Sequence, residues 1–317
     1  QLRSRLDTPS LRLIDVRPSD AYNGWALRGE SRGGHIPGAR SLPAKWSTYL
    51  DWLDIVKGKA ISSDDQLLLY GYSSSETERV AARFKRAGFT DLAVYHSFVD
   101  EWSARSDLPV ERLERYENLV PAQWLNSLLT DGKAPEYDNS KYLICHAHYQ
   151  NRSDYEKGHI PGAVDLDTNT LESPKTWNRR SSEEIREALK TLGVTHDTTV
   201  TLYGRFSFPD NNDPFPGSSA GHLGAIRCAF ILLYAGVRDV RILNGGLQAW
   251  LDEGFAVTDD EVENEAVDNF GARIPGRPEI VVDMPEAREI LQSEEKNLVS
   301  VRSWREYVGE VSGYNYI

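Results

Sequence analysis

Sulfur and positive charge are both scarce in this chain. Of its 317 residues only Cys145 and Cys228 are cysteines, and there is a single methionine. Two isolated cysteines exclude a disulfide framework, a Cys-x-x-Cys redox pair and the Cys/His spacing of a structural zinc site. No run of about 18 apolar residues occurs, so no helix inserts across a membrane. Lys and Arg number 36 against 48 Asp and Glu, a formal net charge of -12. Nucleic-acid binding needs basic patches to neutralise phosphates, and this balance excludes that class of partner. The start, Gln1-Leu2-Arg3-Ser4, has neither Met nor an apolar leader and reads as a processed or trimmed chain. What is present is ample core material, 40% apolar residues with 8 Trp and 15 Tyr, so disorder is not the default. The length suits two domains and a fraction.

One hexapeptide occurs twice, Gly34-His35-Ile36-Pro37-Gly38-Ala39 and Gly158-His159-Ile160-Pro161-Gly162-Ala163. The likeness extends outward. Ala87-Gly88-Phe89-Thr90-Asp91-Leu92 corresponds to Ala235-Gly236-Val237-Arg238-Asp239-Val240, and both blocks run on to a Trp, Trp102 and Trp250. Leu67–Gly71 corresponds to Val200–Gly204, and Leu13–Arg17 to Leu143–Ala147, which places Cys145 at the position of Asp15. Short apolar runs at 11–16, 66–70, 92–95, 142–146, 199–203 and 240–243 predict buried strands. Helical spacing predicts helices over roughly 76–87 and 219–235, and Ser181-Ser182-Glu183-Glu184 opens another with capping chemistry. Strands alternating with helices predict an α/β fold, each unit a mainly parallel sheet flanked by helices on both faces.

A third copy starts near Ile280. Leu298-Val299-Ser300-Val301-Arg302 repeats the Leu13–Arg17 strand, and Trp304–Tyr307 resembles Ser19–Tyr22. The expected domains are therefore 1–113, 114–265, and 266–317 as linker and the beginning of an incomplete third, with 256–279 polar and linker-like. The run 205–221, rich in Pro, Asn, Asp, Gly and Ser, is a long loop with no counterpart in the first copy.

This order of parts, an Asp-Val-Arg strand, Gly-His-Ile-Pro-Gly-Ala, a central strand entering a loop and helix, then Ala-Gly-turn-strand to Trp, resembles the rhodanese (sulfurtransferase) family. Tandem copies with a third begun are similar to the bacterial three-domain thiosulfate sulfurtransferases. The resemblance implies a catalytic cysteine at the end of the central strand. Loop amides and a helix N-terminus lower its pKa, and it carries sulfur as a persulfide. It also implies a sulfur donor such as thiosulfate or a persulfide protein, a thiophilic acceptor, no cofactor and a periplasmic setting. Here Gly71 and Gly204 occupy the nucleophile positions. Neither copy present is expected to transfer sulfur, and the nucleophile is expected beyond Ile317.

The other chemistry-bearing residues have bland readings. Ser73, Ser74 and Ser75 are cap and turn residues. Cys145, beside His146 and His148, is a strand residue whose neighbours point to opposite faces, so it reads as structural. Cys228 lies mid-helix and packs a core. His35 and His159 hold turns by hydrogen bonds, His96 and His222 are surface or capping residues, and Trp102 and Trp250 close each domain. Two rivals remain. One is a scaffold for a sulfur donor or acceptor protein, with Phe206, Phe208, Pro209, Pro214, Phe215 and Pro216 as contact surface. The other is a cysteine phosphatase of related fold, which lacks the loop cysteine it needs.

Overall fold

The computed structural model describes residues 2–6, 8–205 and 220–312; the Phe- and Pro-bearing part of the 205–221 loop lies outside them. The first sheet contains β1 (Leu11–Asp15), β2 (Arg40–Ser41), β3 (Gln66–Tyr70) and β4 (Leu92–Tyr95), in the order β2-β1-β3-β4. The second contains β5 (Leu119–Val120), β6 (Tyr142–His148), β7 (Ala163–Asp167), β8 (Thr199–Gly204) and β9 (Asp239–Leu243), in the order β5-β9-β8-β6-β7. Every pair in both sheets is parallel. Reading β2, β1, β3, β4 beside β7, β6, β8, β9 shows one topology built twice. The expected strands and the helices Ser74–Arg86, Ser182–Thr191 and Ala220–Ala235 are all present.

Alternation along the strands divides each core. In the second sheet Cys145, Ala147, Val200, Leu202, Val240 and Ile242 bury against helices Ser182–Thr191 and Ala220–Ala235. Ile144, Tyr203 and Leu243 face the opposite layer, with Trp124, Leu125, Leu128 and Trp250. Period-two patterning with both faces covered is what a buried parallel sheet requires. Helix Ser182–Thr191 starts in a capping box between Ser181 and Glu184, which satisfies two otherwise orphaned amides.

The two domains are joined by more than chain. Trp25 of the first is 3% exposed inside the second domain's aromatic layer, and its Nε1 donates to the Leu119 carbonyl at 2.8 Å. Asn244 Nδ2 donates to Asp20 Oδ1 at 2.7 Å across the same boundary.

Two expectations for the C-terminal part need correction. The segment read as a polar linker is strapped to the second domain. Phe270 and Ile274 are buried in its core, and the Phe270 carbonyl accepts from the His196 amide at 2.8 Å. Two apolar anchors in an acidic stretch escape a reading based on composition. The second correction is Leu298–Arg302, which forms no strand; Leu298, Val299 and Val301 are exposed. A strand needs a neighbour for its backbone groups, and none of the described residues supplies one. The flanking helices Met284–Gln292 and Trp304–Tyr307 do form, each opened by a capping box, from Asp283 and Ser303.

Candidate functional site

The repeated hexapeptide is a clamped turn at the C-terminal ends of the strands. Gly38 and Gly162 have φ of +76° and +78°, a left-handed conformation that glycine adopts without strain. A Cβ on Gly34 would lie 2.3 Å from the Glu111 carbonyl oxygen. The clamp is identical in both copies. Tyr22 stacks on His35, and Tyr155 on His159, each at 3.7 Å and 7°. His35 Nδ1 bonds the Tyr22 carbonyl at 2.8 Å and His159 Nδ1 that of Tyr155 at 2.9 Å. The Ile36 amide donates to Tyr70 Oη at 3.1 Å, and the Ile160 amide to Tyr203 Oη at 2.9 Å. Both histidines are buried with their Nδ1 engaged, so they position the turn and are not placed for proton transfer to a ligand.

At the end of the central strand of the first sheet, buried Gly71 follows β3. A Cβ there would lie 2.7 Å from both Val16 Cγ2 and Thr77 Oγ1. The Thr77 hydroxyl is itself tied to the Ser73 carbonyl at 2.8 Å. A larger residue at Gly71 would have to displace the Val16 and Thr77 side chains. Beside it lies a buried charge network that motif reading missed. Arg17, wholly buried, donates to Asp15 Oδ2 at 2.6 Å and to the Gly34 carbonyl at 2.6 Å, with Glu30 3.5 Å away. Phe98 lies 4.0 Å from its guanidinium carbon. Burial opposes the Arg17 charge, but Asp15 more than restores it and the guanidinium stays above its ordinary value. Tyr72 donates to Glu30, and burial followed by that carboxylate holds the phenol above its usual range.

The second copy keeps the frame and changes the chemistry. Tyr70 pairs with Asp15 and Ile14 with Arg40; Tyr203 pairs with His146 and Cys145 with Val164. His146 therefore stands at the position of Asp15, and Cys145 at that of Ile14, one residue from the register expected above. Cys145 faces the apolar core, and burial pushes its thiol up to about 12. Cys228 is fully buried and raised well above its usual value by burial. Neither provides a thiolate at neutral pH. Gly204 ends β8 opposite Ala147. The next residue, Arg205, donates to the Gly158 carbonyl at 3.1 Å. His148, at the position of Arg17, bonds Asp165 at 2.7 Å while its Nδ1 accepts from the Asn151 amide at 3.1 Å. His146, wholly buried, makes no hydrogen bond through either ring nitrogen among the described residues. Burial, then the charge of Arg205 and the neighbouring histidines, hold it down to about 3, so it is neutral. Tyr72 and Arg205 had one legible signal: each directly follows the glycine that closes a matched central-strand block.

Among the described residues no three His, Cys, Asp or Glu side chains are grouped to hold a metal. Among the described residues the arrangement at both strand ends holds a turn and buries charge.

Comparison with known proteins agrees with this architecture. A rhodanese-like domain profile matches residues 1–105 and 122–253. Thiosulfate sulfurtransferase YnjE of Escherichia coli (strain K12) is 35% identical over 310 residues, 96% of this chain and 66% of its own length. Sulfur carrier protein TtuD of Thermus thermophilus is 30% identical over 201 residues, 62% of this chain and 61% of its own. The chain thus spans a little under two-thirds of these relatives. Among solved structures, the anaerobic ergothioneine biosynthesis enzyme from Chlorobium limicola, in complex with its natural substrate trimethyl histidine, superposes with a TM-score of 0.91. It is 56% identical, over 100% of this chain and 74% of that one. A cysteine-persulfide form of EanB in a tetrahedral intermediate state with ergothioneine gives 0.92 at 56% identity, over 100% of this chain and 75% of that one. With two domain matches laid on two sheets of one topology, the chain belongs to the rhodanese-like family.

Proposed function

We propose that these residues are the non-catalytic front of a rhodanese-type sulfurtransferase whose persulfide cysteine belongs to a third domain begun by residues 278–308. One observation carries this reading. Gly71 and Gly204, at the positions where the family resemblance expects a cysteine, carry no thiol, and a side chain at Gly71 would have to displace Val16 and Thr77. In EanB, by contrast, the persulfide cysteine bears a number well past the 317 residues of this chain. Support comes from the third segment: two capped helices and a row of uncovered apolar residues, Leu298, Val299, Val301 and Trp304. Such a row matches a strand and helix awaiting their sheet.

The chemistry is transfer of sulfane sulfur. A thiolate attacks the outer sulfur of a donor such as thiosulfate, sulfite leaves, and a cysteine persulfide remains. The acceptor then takes the outer sulfur, and the cysteine departs as thiolate. The 56% identity to an enzyme of trimethyl histidine, against 35% to a thiosulfate sulfurtransferase, favours trimethyl histidine as acceptor, its ring carbon exchanging a proton for sulfur. The first two domains serve as scaffold.

The test compares this chain with a version extended through a complete third domain, each supplied with trimethyl histidine and a sulfane-sulfur donor, following the thiolated product by mass. Turnover is expected only from the extended protein. Turnover by the 317-residue chain carrying Cys145→Ser and Cys228→Ser overturns the reading.

A further inference from the structure

Helix Ala220–Ala235 is apolar nearly all round. Its one charged residue is Arg227, and a helix without a polar face is normally covered on every side. Yet Leu223 and Phe230 are each about half exposed. The equivalent helix of the first domain, Ser74–Arg86, turns Glu78, Arg79, Lys85 and Arg86 to water instead. Two copies of one topology thus differ on one face, and the second copy leaves that face apolar.

Leu223, Arg227, Phe230 and Tyr234, spaced i, i+4, i+7 and i+11, lie in one stripe. Residues 172–179 run beside it. Arg227 donates to Glu172 Oε1 at 2.7 Å and to the Trp177 carbonyl at 3.1 Å, and the Arg179 guanidinium lies 4.3 Å from the centre of the Tyr234 ring. Trp177 has a φ of +56°, a left-handed conformation that is costly for a bulky residue. Its ring, 5.1 Å from that of Tyr149, is nearly half exposed.

The third segment is tethered to the same stripe. The Gly276 and Arg277 amides donate to the Tyr234 carbonyl at 3.1 and 3.0 Å. Asp283, which caps helix Met284–Gln292, accepts from Arg179 Nη2 at 2.6 Å and from Asn178 Nδ2 at 3.2 Å. Met284, directly after it, is exposed.

We propose that Trp177, Leu223 and Phe230, around Arg227, form the surface of the second domain on which the third domain docks, which rests on the third-domain reading of residues 278–308. The tether names the occupant. A domain begun at Asp283 leaves from the edge of the patch, already ion-paired to it, and a short tether presents it at an effective concentration of about millimolar. An apolar patch of this kind marks an interaction site.

The test is hydroxyl-radical footprinting, read by mass, of the 317-residue chain and of a version extended through the complete third domain. Trp177, Leu223 and Phe230 all belong to the second domain, so folding of the third by itself leaves them open. Oxidation of at least two of them is expected to fall about fivefold or more in the extended protein, while Tyr49 and Leu50, exposed in the first domain, keep their rates. Phe230→Glu alters an exposed side chain. It should leave the melting of the 317-residue chain unchanged and, in the extended protein, return Trp177 and Leu223 to their faster oxidation. Protection of fewer than two of the three residues overturns the proposal. So does undiminished protection in Phe230→Glu, or protection that arises only as the extended protein dimerises. Protection without sulfur transfer removes the functional reading alone, and sulfur transfer with an open face removes the docking alone.

Discussion

Arg17 and Arg205 deliver a guanidinium to the same place from different strands. Arg17 follows β1 and donates to the Gly34 carbonyl at 2.6 Å; Arg205 follows β8 and donates to the Gly158 carbonyl at 3.1 Å. The carbonyl precedes the histidine of each hexapeptide. Each copy thus keeps a cation against its turn, while the residue at the position of Arg17 in the second copy, His148, is released to pair with Asp165.

A cysteine placed at Gly71 is not expected to carry sulfur. Gly71→Cys forces a Cβ against Val16 and Thr77, each 2.7 Å away. Overpacking of this kind costs about 1–3 kcal/mol. The variant should show a lower urea midpoint and form no cyanolysable persulfide with thiosulfate. An unshifted midpoint together with a persulfide adduct would contradict the geometry.

Removing a clamp hydroxyl should cost stability in either copy. Tyr70→Phe and Tyr203→Phe each leave a buried amide, of Ile36 or Ile160, without its acceptor. An unsatisfied buried donor costs about 1–3 kcal/mol. Equal losses from the two variants, read from chemical denaturation, are the expected outcome of equivalent sites.

His146 should make the second domain acid-sensitive. An unfolded imidazole titrates near 6.5, and in the fold burial and nearby cations hold it down to about 3. The unfolded chain therefore binds a proton that the folded one refuses. Stability from this site is full above pH 6.5 and is lost progressively as pH falls toward 3. His146→Phe, between Tyr155 and Tyr203, should flatten that fall. Identical urea midpoints for wild type and variant across pH 7 to 4 would show that His146 is not its source.

Trp25 should govern how the domains melt together. It fills the second domain's aromatic layer and bonds the Leu119 carbonyl. Truncating a buried Trp costs about 3–5 kcal/mol. Trp25→Ala is expected to split one calorimetric transition into two; a single transition at the wild-type temperature counts against the coupling.

Thiol accessibility checks the placement of Cys145 and Cys228. Both are buried with raised pKa, so neither should react with a disulfide reagent at pH 8 in the folded protein. Both should react once the chain is unfolded.

Much of this molecule was legible in the residues. The hexapeptide, the Ala-Gly stops and the apolar runs marked both sheets because each rests on local chemistry: a glycine turn, a helix end, a buried strand. The glycines that close the two matched central strands, Gly71 and Gly204, were legible for the same reason, since each ends its matched block, Leu67–Gly71 or Val200–Gly204. The pairing of β6 was not. Aligning Cys145 with Asp15 is wrong by one residue, and in a strand one residue exchanges the two faces. Neither Cys145 nor His146 betrays by itself which one points at the apolar layer.

By itself the sequence determined the family, the duplicated topology and the absence of a thiol at both strand ends. Tertiary structure decided the register that buries Cys145 and aims His146 at Tyr203, the substitution of Arg205 for Arg17, and the strapping of Phe270 and Ile274 onto the second core. It also decided that Arg227 joins Trp177 to the apolar outer face of helix Ala220–Ala235. The first group follows from interactions within a few residues. The second depends on contacts between residues far apart in the chain, which only the closed sheets bring within bonding distance.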